Sequence, residues 1–120
     1  MNPLIDQKQL MRFAESDRDL ISEMAVIFKR SVPGNKARLQ HSVAEADPVK
    51  LLEISHQLKG QLSYFFCAPL VSLAGELEEM GMRGTVEDAQ QVSERLISGL
   101  DQLLHELSEI TGLQLDIEEE

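Results

Sequence analysis

The fold is decided by the stretch Glu53-Ile-Ser-His-Gln-Leu-Lys-Gly-Gln-Leu-Ser63. Apolar residues in and around it recur at spacings of three and four, which predicts an amphipathic helix: Leu51, Ile54, Leu58, Leu62 and Phe65. At about 100° per residue, these residues fall within about 40° of Leu58, whereas His56 falls about 160° away. The helix should therefore bury one stripe and turn an imidazole toward solvent.

The exposed face around His56 carries a specific set of neighbours. Lys59 lies at i+3, Gly60 at i+4 and Ser63 at i+7. A glycine inside a helix costs about 1 kcal/mol relative to alanine, so helix stability does not explain Gly60. A core histidine does not fit a position opposite the apolar stripe. By spacing alone, an ordinary surface histidine fits as well as a reactive one.

Composition favours helices packed on helices. The chain has 120 residues, enough for one domain, with 42% hydrophobic and 27% charged residues. It contains four phenylalanines, one tyrosine and no tryptophan, so aliphatic residues and methionine must form most of the core. Such a core suits an all-helical protein.

Charge and cysteine content exclude several classes of function. The formal net charge is −10, and residues 45–120 carry four basic against sixteen acidic residues. Such a chain repels phosphate backbones and anionic lipids, so we expect no binding to nucleic acid or membrane. The single cysteine, Cys67, suits a reducing compartment, and neither a leader nor a long apolar run is visible. These features predict a cytoplasmic protein.

Capping signals divide the chain into one short and four long helices. Asp6 with Gln9 starts the short helix, and Ser16 or Asp17 starts a long one that bends at Pro33 and continues toward Ala46. The inward face predicted for this second helix is Leu20, Met24, Ile27 and Phe28.

The remaining helices follow from similar signals. Asp47-Pro48 starts the His56 helix, Pro69 starts the next, Gly81 and Gly84 end it and Thr85 opens the last. We therefore predict an antiparallel up-down-up-down four-helix bundle over residues 16–112. A short N-terminal helix over 1–15 precedes it, and a frayed acidic tail over 113–120 follows.

Other candidate sites are weak. His41 and His105 have no His or Cys at i+4, only surface glutamates of the kind that any acidic helix supplies, and Cys67 follows two phenylalanines, which indicates burial. No glycine-rich loop follows a strand pattern, so no nucleotide cradle is predicted. We expect no metal site, and His56 is the candidate by elimination.

The sequence His56-Gln-Leu-Lys-Gly60 resembles the His-x-Leu-Lys-Gly signature of histidine-containing phosphotransfer (HPt) domains. Residues 16–28 resemble the first long helix of that family, 44–48 the loop before its active helix, and 70–81 the helix that follows. The resemblance covers residues 16–110 and implies a four-helix bundle with a phosphorylated histidine exposed in the middle of a helix. The chain departs from the family at Gln61, where a small residue is usual, and at Phe66, where glycine is usual.

The resemblance implies a role for each site residue. His56 would accept a phosphoryl group from an aspartyl phosphate and pass it to another aspartate. Lys59 would neutralise phosphoryl oxygens, and Gly60 would leave room for the approaching donor. Ser63 could donate a hydrogen bond to the phosphate. Glu78 matches the family residue that contacts the other ring nitrogen.

The implied partners are response-regulator receiver domains and a sensor (hybrid) histidine kinase. The metal and the catalytic aspartates would belong to the receiver, so no cofactor is expected in this chain, which we expect to be a monomer. Docking needs apolar surface near His56, and Leu52, Ile21 and Ala25 are the predicted contributors.

Two alternatives remain open at this stage. The chain could be a degenerate HPt bundle that binds a signalling partner without chemistry. The departures from the family pattern at Gln61 and Phe66 leave this alternative open. The chain could also be the phosphoacceptor domain of a chemotaxis-type histidine kinase. The Met1 start and the Glu118-Glu-Glu120 end favour a complete small phosphocarrier rather than a piece of a turnover enzyme.

Overall fold

The computed structural model describes residues 3–116, which contain five helices and no strand. The helices are α1 (Gln7–Phe13), α2 (Arg18–Ala44), α3 (Pro48–Ser63), α4 (Ala68–Arg83) and α5 (Ala89–Thr111). This confirms the prediction of an all-helical fold with one short and four long helices.

The four long helices form a closed ring of neighbours. Each packs against the next in the chain, and α5 completes the ring against α2. Short connections make consecutive helices antiparallel. The contact between α3 and α4 is especially tight at Gly81, where a Cβ would lie 2.8 Å from the Pro48 carbonyl oxygen and 2.8 Å from the Leu52 nitrogen. The absence of a side chain at Gly81 thus lets α4 press against α3 near the site.

Aspartates start the first three helices as predicted. The carboxylates of Asp6, Asp17 and Asp47 accept backbone N–H groups of the first turn. The last helix differs from the prediction because it begins at Ala89 rather than Thr85. Its preceding residues form a turn in which the Ala89 N–H donates to the Val86 carbonyl.

The inward face of α2 is different from the predicted one. Leu20 is 38% exposed and Ile27 is 68% exposed, whereas Ile21 and Ala25 are buried. The helix carries two overlapping apolar stripes, and its register against α3 and α5 places the stripe of Ile21, Ala25, Phe28, Val32 and Leu39 inside. The prediction was right for Phe28, wrong for Leu20 and Ile27, and half right for Met24, which is half-buried.

Both ends of the chain share the core of the bundle. Ile5 and Leu10 near the N-terminus and Leu115 near the C-terminus belong to the same buried cluster as the long helices. The Leu115 N–H donates to the Ser108 hydroxyl at 3.0 Å. The expectation of a frayed tail is therefore wrong for residues 113–116, while 117–120 lie outside the described residues.

Candidate functional site

His56 lies in the middle of α3 with its side chain 74% exposed. Its neighbours Ile54 and Leu58, on the opposite face, are 1% and 0% exposed. The predicted orientation of the helix is thus confirmed. A buried stripe anchors the helix on one side and presents the imidazole on the other.

Glu78 of α4 contacts the ring of His56. The Nδ1 atom lies 2.5 Å from Oε2 of Glu78. An ionised carboxylate can only accept hydrogen bonds, so Nδ1 must carry the proton. In the neutral ring, the lone pair then resides on Nε2, the nitrogen available for a reaction.

Lys59 binds the same carboxylate. Its Nζ donates to Oε1 of Glu78 at 2.6 Å. The pKa of Glu78 is lowered, first by the hydrogen bond from Lys59 and then by the one from His56. The carboxylate therefore stays ionised and holds an imidazole and an ammonium group side by side.

Two glycines leave space around this cluster. Apart from its two chain neighbours and the backbone of its own helix, no heavy atom comes within 4 Å of the position that a Cβ of Gly60 would take. At Gly75 of α4, the corresponding distance to Cδ of Lys59 is 4.0 Å, so the lysine stem passes over a bare part of α4. Sequence reasoning missed Gly75, although a glycine three residues before Glu78 inside a helix was a usable signal.

Ser63 lies on the exposed face but has a local partner. Its hydroxyl donates to the Lys59 carbonyl at 2.7 Å, one turn back along α3. The structure therefore brings His56, Lys59 and Glu78 together, while Ser63 remains outside that cluster. Its predicted contact with a phosphate stays a prediction.

The predicted docking residues are mostly unavailable. Ile21 is 1% exposed and Ala25 is 0% exposed because both belong to the core stripe of α2. The prediction that these two residues form a docking surface is therefore wrong. Leu52 is half-buried one turn before His56 and keeps part of its side chain accessible.

An apolar groove of about 400 Å³ lies between α2 and α3 instead, and we call it the α2–α3 groove. Its rim is unusually exposed for apolar residues, since Ile27, Tyr64 and Phe13 are 68%, 60% and 50% exposed. The groove is lined by Phe13, Leu20, Met24, Ile27, Phe28, Ser31, Gln61, Tyr64 and Phe65. Sequence reasoning missed it because it assigned Leu20 and Ile27 to the core.

Gln61 takes part in a polar seam between α2 and α3. Its Oε1 accepts from Nδ2 of the buried Asn35 at 3.0 Å. Gln57 donates to Oδ1 of Asn35 at 3.3 Å and accepts from Arg38 at 2.9 Å. The larger residue after Gly60 therefore has a partner across the helix interface.

Phe66 occupies a position whose backbone favours glycine. Its φ is 53°, in the left-handed region. Its ring packs against Phe13 at 5.8 Å, and its carbonyl accepts from the Asp6 N–H at 3.0 Å. Cys67 follows as a buried residue, and burial raises the pKa of its thiol to about 12, so it is not a reactive nucleophile.

Neither a metal site nor a membrane span is found in the described part of the chain. Residues 3–116 contain no group of three or more His, Cys, Asp or Glu side chains placed to hold a metal ion. No helix in the same range is long and apolar enough to cross a bilayer.

Comparison with known proteins places this geometry in a family. The family model "Hpt domain" matches residues 23–110. A comparison with curated protein sequences gives no match. The crystal structure of histidine-containing phosphotransfer protein B (HptB) from Pseudomonas aeruginosa PAO1 is similar with a TM-score of 0.82 and 20% identity, covering 95% of this chain and 100% of that one. The fold is therefore that of an HPt bundle, and the chain belongs to the Hpt domain family.

Proposed function

We propose that this chain is a phosphocarrier of a phosphorelay that accepts a phosphoryl group on Nε2 of His56 from a receiver-domain aspartate and passes it to another receiver. A sensor (hybrid) histidine kinase would supply the phosphoryl groups of the relay, and the relay would operate in the cytoplasm. The observation that carries the proposal is the contact between Nδ1 of His56 and Glu78, which leaves the exposed Nε2 with the reactive lone pair.

The chemistry is a single displacement at phosphorus. The Nε2 lone pair forms the N–P bond while the bond from phosphorus to the aspartyl oxygen breaks and the aspartate leaves as a carboxylate. In-line approach requires an uncrowded nucleophile, which the bare position at Gly60 supports. The same groups serve the reverse transfer to a second receiver.

Lys59 is suited to balance the charge of the transferred group. Its ammonium lies beside His56 through their common partner Glu78. A fixed cation next to the developing charge stabilises phosphoryl oxygens in the transition state. Ser63, on the same face, could add a hydrogen bond if its hydroxyl turned away from the Lys59 carbonyl.

We infer that the receiver docks on the α2–α3 groove. Tyr64 at its rim follows His56 by two turns of α3, about 12 Å along the helix. Exposed apolar patches of this kind mark interaction sites on monomeric proteins. Leu52, on the other side of His56, would extend the same contact.

The test is transfer from phosphorylated receiver domains to the purified chain. We expect an acid-labile, base-stable label on the parent and none on His56→Gln with its helical circular dichroism retained. A labelled His56→Gln variant would move the chemistry to another residue. Stable binding of receivers without any label on the parent would instead favour the adaptor alternative.

A further inference from the structure

The contact between Glu78 and His56 has a consequence for the phosphorylated state. A neutral imidazole has one N–H and one lone pair, and phosphorylation consumes the lone pair of Nε2. The proton on Nδ1 is then part of a positively charged phosphoimidazolium. Without a partner, this ring loses the proton to water and Nδ1 becomes an acceptor.

An ionised Glu78 can bind only one of these two forms. Its carboxylate accepts hydrogen bonds and donates none, so it pairs with Nδ1–H but opposes a bare Nδ1 lone pair. At 2.5 Å, two facing lone pairs would repel each other. The side chain of Glu78 is only 14% exposed, so water does not readily replace that contact.

We propose that Glu78 keeps Nδ1 of His56 protonated while the phosphoryl group is bound, so that this chain carries its phosphate as a phosphoimidazolium ion. The inference rests on the proposed function, whose phosphoryl group it describes. The proton on Nδ1 stays in place through the cycle, so no proton is gained or lost when the N–P bond forms or breaks.

Other charged groups near the ring come from three helices. Lys59 of α3 shares the carboxylate of Glu78 from α4, and Arg38 of α2 binds the neighbouring Gln57. Glu53 lies one turn before His56 on the exposed side of α3. Lys59 and the ring bind different oxygens of Glu78, Oε1 and Oε2. If Lys59 turns to the phosphoryl oxygens, the carboxylate keeps Nδ1–H as its remaining partner.

Protonation determines how readily the phosphoryl group leaves. When the N–P bond of a phosphoimidazolium breaks, the leaving group is a neutral imidazole. A neutral phosphoimidazole would have to expel an imidazolate, which is a much poorer leaving group. Glu78 should therefore make the phosphorylated chain a strong donor to a receiver, and it should also shorten the life of the label in water.

The test compares Glu78→Gln with the parent after loading both with phosphoramidate, which needs no receiver. Unlike a carboxylate, the glutamine amide can donate to an unprotonated Nδ1. We expect the phosphorylated variant to lose its Nδ1 proton at a pH lower by about one unit or more, followed by NMR of the ring nitrogens. At slightly alkaline pH its label should last several-fold longer than that of the parent.

Glu79→Gln is the matched control, since it removes the same charge from the next residue of α4, whose carboxylate pairs with Arg83 at 2.6 Å. It should behave like the parent. Equal titration and equal label lifetime in Glu78→Gln and the parent would overturn the inference, as would a phosphorylated parent whose Nδ1 is unprotonated at neutral pH. That last measurement needs no variant.

The two proposals fail in different ways. An unchanged Glu78→Gln variant, with transfer between receivers intact, overturns the inference alone. Parent protein that phosphoramidate labels but phosphorylated receivers do not contradicts the relay. Failure of both phosphoramidate and phosphorylated receivers to label His56 overturns both.

Discussion

The packing of the fold does not explain the glycine at position 60, whereas the proposed reaction does. The position is exposed, and no heavy atom beyond the neighbouring residues and the backbone of α3 lies within 4 Å of the place that a Cβ would occupy, so the packing of the chain does not require glycine there. Gly34 of α2 has the same properties. Only Gly60, however, lies one turn from His56, where the proposed transfer requires a partner to approach.

Replacing Gly60 should therefore stabilise the protein and slow the reaction. Gly60→Ala should raise the free energy of unfolding by about 0.5–1 kcal/mol, measured by urea denaturation. Gly60→Leu should slow transfer from a receiver by about tenfold or more because displaced reactants lose their alignment.

Gly34→Ala and Gly34→Leu are the matched controls for these two variants. The alanine variant should gain similar stability, and the leucine variant should keep the parental transfer rate. Equal slowing by leucine at the two positions would show that clearance beside His56 is not the reason for Gly60.

The site residues differ in how far the sequence could reveal them. His56, Lys59 and Gly60 lie within two turns of one helix, so the helical wheel alone places them together. Glu78 comes from another helix and was predicted only through the family resemblance. A glycine inside the predicted helix was a signal at Gly75, but its partner, the Lys59 stem that crosses α4, is set by the packing of the two helices and not by the sequence spacing.

At the scale of the helices, the starts of α1 to α3 were easier to predict than the buried face of α2. Each N-cap aspartate of α1 to α3 accepts a backbone N–H of the helix that it starts, so the signal is local in the sequence. The buried face of α2 is not local, because two apolar stripes compete and the contacts with α3 and α5 select one. No glycine marks the ends of α2 and α3, because Ala46 and Phe66 take the left-handed conformation that is usual for glycine.

Ala46→Gly should stabilise the end of α2. The residue is exposed with φ 50°, and the left-handed region costs a residue with a side chain about 1–2 kcal/mol. Part of this gain is offset by the greater freedom of glycine in the unfolded chain. The net increase in the free energy of unfolding should be about 0.5–1 kcal/mol in urea denaturation.

The same substitution at Ala44 is the control for this prediction. Ala44 is the last residue of α2 and is exposed. Ala44→Gly should lower stability, because glycine is a poor helix former. If the two substitutions changed stability in the same direction, the left-handed strain at Ala46 would not be the cause.

Charge is distributed across the whole molecule in a way that bears on docking. Residues 1–66, which include α1 to α3, carry nine basic against eight acidic residues, whereas residues 67–120 carry two against thirteen. A receiver whose phosphorylation site is built from aspartates would be repelled by the side formed by α4 and α5. The α2–α3 groove lies on the nearly neutral side, so electrostatics and apolar surface favour the same face.

A charge placed in the groove should block docking without damaging the reactive ring. Ile27→Glu alters a side chain that is 68% exposed, so stability should change by less than about 0.5 kcal/mol. Transfer from a receiver should fall by about tenfold or more at low receiver concentration, because the interface would bury an unpaired carboxylate. Labelling by phosphoramidate should be unaffected.

Met82→Glu is the control, since Met82 is 69% exposed and lies at the C-terminal end of α4, beside the start of α3 and away from the groove. It should transfer at nearly the parental rate. Equal losses in both variants would indicate a general effect of added negative charge rather than a contact at Ile27. An unimpaired Ile27→Glu would place the receiver elsewhere on the exposed face of α3, with Leu52 as the nearest apolar candidate.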